Sequence, residues 1–428
     1  MSELDVFENR FKAAYRRYLD EAPTEVDAAE VARTVTAAHR RGRMGVWPWA
    51  LRPAPALAWL VLLALLLAAL GAAALFVGSQ PSAPGLACPS GSTPDKPGQV
   101  DQAAPLGDYL KMAFDGDSAK IVALAGQWDG GTGSWETWTF DVCANSWSRA
   151  RPDREPAISA SRETQLVYDA DSDLTIAIAA DGTWAYDLEA NSWTEKRESP
   201  PTGASRLAYD PVSDLVFVQE ISSGDEFAPP QKLWTYDVDT DTWDEVRQTG
   251  DLPPGGSGDH LLLAYDPSVD RLVAVGRNFT RLFDPRSGDW SAATLLTPTL
   301  NTGYVGSGGE VAYDEARERT VVFSDGVVGV YDATADQWGG FRGVVPGWPY
   351  GSSALNRLGH SMVYDPVNER LVVAGGQYRT GDGWVRADDV WAFDPAARQW
   401  TRLLAPSRVE RYNDATERWI ELPTLSQP

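Results

Sequence analysis

Between Phe114 and Trp400 the apolar and polar positions follow one order six times over. An apolar run closes on an aromatic–Asp pair and a second apolar run follows. A further run closes on another aromatic–Asp pair, and a short polar turn leads to a tryptophan. The first pairs are Phe114-Asp115, Tyr168-Asp169, Tyr209-Asp210, Tyr265-Asp266, Tyr313-Asp314 and Tyr364-Asp365. The second pairs are Phe140-Asp141, Tyr186-Asp187, Tyr236-Asp237, Phe283-Asp284, Tyr331-Asp332 and Phe393-Asp394, followed by Trp147, Trp193, Trp243, Trp290, Trp338 and Trp400. Short apolar runs bounded by Asp-, Pro- and Gly-containing turns predict strands. In the fourth unit HLLLAYD, RLVAVG and FTRLFD are three strands, and a fourth starts at Asp289. Aspartate at a strand end accepts hydrogen bonds from backbone amides two residues on, and proline presets the next φ. Asp266-Pro267 and Asp284-Pro285 therefore end their strands for a local mechanical reason.

Successive first aspartates are 54, 41, 56, 48 and 51 residues apart, the period of four-stranded sheets arrayed around an axis. The fold class predicted is all-β, a β-propeller, with the repeat tryptophans filling the gaps between blades. Residues 112–400 resemble the kelch family, the repeat class also found in galactose-oxidase-type propellers. The sixth unit carries the resemblance through LGHSMVYDPVNERLVVAGG and DDVWAFDPAARQWTRL, with the family's diglycine at Gly375-Gly376. That diglycine has decayed to Gly126-Gln127 and Gly276-Arg277 and is absent from the second, third and fifth units. Segment 407–423 repeats the second half of a unit, from Val409 to Trp419, without a first half before it. Six blades with a closing or appended hairpin are expected. The alternative is a seventh blade completed by the residues before Lys111, which are rich in Pro and Gly and poor in apolar runs.

Ahead of the propeller (108–428), residues 54–77 hold 24 positions without a charge, enough to cross a hydrocarbon core as a helix. Arg40, Arg41, Arg43 and Arg52 precede this stretch, and the first charges after it are Asp95 and Lys96. The positive-inside bias predicts a single-pass cell-membrane protein, N-terminus cytoplasmic and propeller extracytoplasmic. A cleaved signal peptide is disfavoured, because more than fifty residues precede the apolar stretch. The linker 78–107 is rich in Pro, Gly and Ser. The only cysteines, Cys88 and Cys143, both fall on the exported side, where a disulfide persists. If they pair, the base of the propeller is stapled to the linker, with the long loops pointing away from the membrane.

Residues 1–53 carry nine Lys/Arg against eight Asp/Glu, leaving twenty-eight against fifty-two for the rest. Nucleic acid and anionic lipid surfaces are poor partners for so acidic an exported part, and no nucleic-acid partner is expected. In segment 1–45, Phe7, Phe11, Ala14, Tyr15, Tyr18 and Leu19 recur at helical spacing, and Thr24-x-x-Asp27 opens a second helix. Two short amphipathic helices need a cytoplasmic partner, another copy or the bilayer surface. Cytoplasmic helices, one span and an exported domain are similar to the arrangement of membrane anti-sigma factors, without their His/Cys zinc pattern. The expectation is thus a bacterial, membrane-anchored member of the kelch class.

The a–b and c–d connections of a four-stranded blade emerge at one face, the b–c and d–a connections at the other. Here the first kind are short Asp-headed turns, and the long insertions, 127–137, 220–232, 244–259, 339–357 and 377–389, all belong to the second. Loops grown on one face of a rigid scaffold are where binding normally resides. Trp128, Trp135, Arg342, Trp348, Tyr350, Tyr378, Trp384 and Arg386 supply the aromatic and guanidinium groups that dominate interfaces. The reading is a binding module for an envelope protein or glycan, not an enzyme, with no metal and no cofactor. Its alternative is a membrane sensor whose cytoplasmic helices transmit the state of the propeller. A copper-type oxidase, implied by the galactose-oxidase resemblance, would need histidines, tyrosines and a cysteine to converge. Beyond residue 53 the chain has only His260 and His360, with Cys143 in a turn on the other face. Asp237, Asp239 and Asp241 mimic the start of a calcium loop but lack its glycine and terminal glutamate, so a plain turn is expected.

Overall fold

The computed structural model describes Cys88 and residues 104–127, 133–161, 163–197, 205–220, 232–254, 261–276, 279–293, 309–324, 327–342, 357–380, 383–413, 416 and 418–422. The segments 1–45 and 54–77 and most of the linker lie outside these residues. Among the described residues no helix is long and apolar enough to cross a membrane.

Six sheets carry the described chain. The first holds β1 (Tyr109–Asp115), β2 (Lys120–Gln127), β3 (Ser134–Asp141) and β4 (Ser146–Arg149). The second holds β5 (Gln165–Asp169), β6 (Leu174–Ala179), β7 (Gly182–Asp187) and β8 (Ser192–Glu195). The third holds β9 (Ser205–Asp210), β10 (Leu215–Glu220), β11 (Leu233–Asp237) and β12 (Thr242–Glu245). In the fourth, β13 (Thr249–Gly250) joins the outer edge of β14 (Leu262–Asp266), β15 (Arg271–Val275), β16 (Thr280–Asp284) and β17 (Asp289–Ala292). The fifth is β18 (Glu310–Asp314), β19 (Arg319–Ser324), β20 (Val327–Asp332) and β21 (Gln337–Arg342). The sixth contains β22 (Leu358–Asp365), β23 (Arg370–Thr380), β25 (Val390–Asp394) and β26 (Gln399–Leu404). It is extended by β24 (Gly383–Ala387), β27 (Val409–Asn413) and β28 (Arg418–Leu422). The innermost strands touch in the closed cycle β1, β5, β9, β14, β18, β22 and back to β1. The repeat at 407–423 does not enter this cycle, because β27 pairs with β24.

The turns share one local mechanism. Four residues after each Asp of the twelve aromatic–Asp pairs the backbone turns left-handed, at Ala119, Asp173, Asp214, Asp270, Glu318 and Glu369 between first and second strands. The matching positions between third and fourth strands are Asn145, Asn191, Asp241, Gly288, Asp336 and Arg398. Asp, Asn and Gly adopt this conformation at the lowest cost, which accounts for most of these residues. The strand-end carboxylate then accepts from the turn amides, as Asp141 does from Cys143 N and Ala144 N at 2.9 and 2.8 Å. In six turns the tyrosine before that Asp donates its hydroxyl to the left-handed residue, for example Tyr209 to Asp214 at 2.9 Å and Tyr236 to Asp241 at 2.8 Å.

The aromatic of each second pair lies directly across from the repeat tryptophan, with ring centroids 4.7 Å apart at Tyr236–Trp243 and 5.1 Å at Phe393–Trp400. These offset pairs add about 0.5–1.5 kcal/mol beyond burial. Each of six apolar cores joins two neighbouring sheets. Val122, Leu124, Ala177, Trp184 and Trp193 join the first and second, and Phe323, Met362, Leu371 and Trp400 the fifth and sixth. Trp193 Nε1 donates to Thr137 Oγ1 of the preceding blade at 2.8 Å, and Trp338 Nε1 to Thr280 Oγ1 at 3.0 Å. Trp193 and Trp338 thus couple blades as well as fill space.

The seam between the sixth and first sheets is closed by buried polar contacts. Buried Arg370 donates to Asp365 in its own sheet and to Val142 O and Asn145 Oδ1 across the seam, at 2.9, 2.9 and 2.8 Å. Asn368 also donates to Val142 O, and Met112 N donates to Ser361 Oγ. Cys88 and Cys143 form a disulfide with Cα atoms 5.3 Å apart, packed in the same core. At the other end, Arg386 and Trp419 Nε1 both donate to Asp108 at 2.7 and 2.9 Å, so the appended hairpin clasps the entry to β1.

Candidate functional site

The two ends of the ring differ in chemistry. At the long-loop end, Trp128, Trp348 and Tyr350 lie outside the described residues, and Arg342 ends β21. Trp135 was expected at an exposed binding face, but it is 3% exposed in the core between the first two sheets. Tyr378, 1% exposed, packs with Val385 and Val409 beneath the appended strands. Arg386, 6% exposed, is held by Asp108 and Glu410 and lies 4.3 Å from the Trp419 ring centroid. These three side chains build the scaffold. Their long-loop positions hid this, because each partner is supplied by a distant segment. Trp384, half-buried on β24, remains at this end, on the same side of its strand as Arg386.

His360 is enclosed at the same end, with Nδ1 2.8 Å from Arg357 O and its ring edge-on to Phe323. Burial lowers its pKa to about 3, so the ring is neutral with Nδ1 donating. Arg357 is itself buried against Asp389, which accepts from Trp391 Nε1 at 2.6 Å. Cys143, consumed in a disulfide, sits in a turn at the opposite end. His360 and Cys143 therefore do not converge, and His260, the other histidine weighed for a copper site, lies outside the described residues.

At the short-turn end, an axial channel of about 700 Å³ is walled by equivalent positions of all six innermost strands. Counted back from each first Asp, the third position gives Met112, Leu166, Leu207, Leu263, Val311 and Met362. The second gives alanine or valine, and the first a collar of Phe114, Tyr168, Tyr209, Tyr265, Tyr313 and Tyr364. The rim beyond is Gly116, Ala170, Pro211, Pro267, Glu315 and Pro366. Hydroxyls of Tyr168, Tyr209 and Tyr265 are drawn off to Asp173, Asp214 and Asp270 in the turns. Burial raises all five tyrosine pKa values, Tyr313 to about 12, so the collar stays neutral.

One position deeper, Lys111, Arg206 and Glu310 come from alternate blades and act on one another electrostatically. Burial raises the pKa of Glu310 while the two cations pull it down. The sequence reading passed over this charged floor and the collar. Aligning the six units on their first Asp places both at fixed offsets. Around the rim, carboxylate oxygens of Asp171, Asp214 and Asp239 lie within 4.8 Å of one another. Asp237 and Asp241 serve their own turn, Asp237 accepting from Thr240 N and Asp241 from Tyr236.

The Kelch motif model matches residues 359–403, most of the sixth blade. No curated protein matches the chain. The motif and the ring of antiparallel sheets together make the described region a kelch-type β-propeller, an architecture consistent with a protein-binding module.

Proposed function

We propose that the chain is a single-span membrane protein that holds its propeller outside the cytoplasm and binds a protein partner through the long-loop end. The observation that carries this reading is the division of labour between the two ends. Each of the twelve turns that follow an aromatic–Asp pair is locked by a left-handed residue four positions after the Asp, whereas the long connections all leave from the other end. A rigid ring presenting variable loops on one face suits recognition. The Cys88–Cys143 bridge favours an oxidising compartment, and the uncharged stretch 54–77 supplies the span.

The test is site-specific photo-crosslinking in cells with the full chain, the crosslinker replacing Trp384 or, as a control at the short-turn end, Ser213. A discrete protein adduct from position 384 and none from 213, lost when Trp348→Ala and Tyr350→Ala are added, is expected. Adducts of equal yield from both positions, or none from either, would refute the assignment.

A further inference from the structure

The axial channel is walled by all six innermost strands, and the long-loop reading makes no use of it. Its volume of about 700 Å³ lies within the range of small-molecule sites, which are mostly apolar with a few placed polar groups. From the Met112 level to the rim the wall is five residues deep, about 15 Å at strand rise, so the mean bore is about 8 Å. Phe114, Tyr168, Tyr209, Tyr265, Tyr313 and Tyr364 all line the mouth, and the hydroxyls of Tyr168, Tyr209 and Tyr265 are held by turn carboxylates. A ring that turns its face to the bore attracts a cation through its quadrupole.

The electrostatic surroundings agree. The six inner turns, 116–119, 170–173, 211–214, 267–270, 315–318 and 366–369, contain eight carboxylates and one cation, Arg317. Arg317 is already paired with Asp314 and Glu369. One strand position beyond the Met112 level, Lys111 and Arg206 both act electrostatically on Glu310. A positive group is therefore drawn to the mouth and kept from the floor, which leaves the apolar shaft for an uncharged body. We propose that the channel binds a small organic cation of the quaternary-ammonium type, its charge in the aromatic collar and its apolar part toward Met112 and Met362. The site is at the opposite end from the proposed partner surface, so failure of one leaves the other standing.

The test titrates the full chain, purified in a neutral maltoside detergent, with phenyltrimethylammonium, its uncharged carbon isostere tert-butylbenzene, and phenylacetate, by calorimetry. The cation should bind one to one, the isostere about tenfold more weakly, and the anion not detectably. Ala113→Phe with Ala264→Phe fills the channel and should abolish binding. Glu315→Gln with Asp171→Asn, both at exposed positions, should weaken the cation several-fold without affecting the isostere. Equal affinity for all three probes, no binding of the cation, or undiminished binding by the filled channel would overturn the proposal. Should the filled variant fail to fold, unchanged cation affinity in the Glu315→Gln, Asp171→Asn variant would overturn it as well.

Discussion

Replacing both Cys88 and Cys143 by serine removes the one covalent cross-link in the chain and tests how the ring is closed. The bridge spans a sequence separation of 55, a loop that contains β1, β2 and β3. Loop-closure entropy for that length is about 4 kcal/mol at 25 °C, gained by restricting the unfolded chain. Cys143 is 9% exposed and shares its core with Trp147, Val363 and Leu403, so the serine hydroxyls add a small penalty of their own. For a propeller of roughly 320 residues, 4 kcal/mol corresponds to a fall in Tm of about 6 °C. The assay is urea denaturation of the full chain in detergent, followed by tryptophan fluorescence, with and without reductant. Reductant should bring the wild type to the variant's midpoint and leave the variant where it is. A loss below about 1 kcal/mol would refute the reasoning, because either the bridge is absent or closing that loop does not limit the unfolded state.

Two further perturbations probe single contacts. Burial holds His360 at about 3 in the folded chain, below its unfolded value of about 6.5, so only the unfolded state gains this proton as pH falls. The residue's contribution is intact above pH 6.5, and about 2 kcal/mol of it is lost between pH 7 and 5. A His360→Asn variant should lack that component in paired denaturation curves, and parallel pH profiles would contradict it. Thr137 accepts from Trp193 Nε1 and bonds Glu155 through both its amide and hydroxyl. Thr137→Val leaves Trp193 Nε1–H and the Glu155 carboxylate without the hydroxyl and should cost about 2–3 kcal/mol, against about 1 kcal/mol for Thr137→Ser, which keeps the hydroxyl and loses one methyl. Equal losses in the two variants would show that the threonine hydroxyl is not the hub between the first two blades.

The blades were legible because strand ends, turns and inter-blade aromatics are each set by neighbours within one unit. Tyr186, Asp187, Asn191 and Trp193 lie within eight positions, and their contacts within the turn and the ring pair are local, while Trp193 and Asn191 also bond Thr137 and Ala150 of the preceding blade. The seam was not legible. Arg370 reaches Asn145 across a sequence distance of 225, and Arg386 reaches Asp108 across 278. An arginine in a long connection has the same sequence appearance whether it faces solvent or clamps a distant carboxylate. For the same reason Trp135 and Tyr378 read as loop aromatics although they are core. The channel was hidden differently, since its lining residues are ordinary strand positions that acquire meaning only when six strands are set around one axis.

The acidity of the propeller follows from its construction before any partner is considered. Each blade places an aspartate at two strand ends because a carboxylate satisfies the turn amides, as Asp210 does for Val212 N and Asp394 for Ala396 N and Ala397 N. Asp173, Asp214, Asp241, Asp270 and Asp336 then occupy left-handed positions that few other residue types tolerate. Both demands fall at the same end of every blade, so the negative charge collects where the chain turns tightly. Of the tyrosines that donate to these aspartates, Tyr168, Tyr209 and Tyr265 also ring the channel mouth. A collar of neutral aromatic rings inside a negative field is thus a by-product of how this repeat ends its strands. A cation site there requires no residue beyond those the fold already employs.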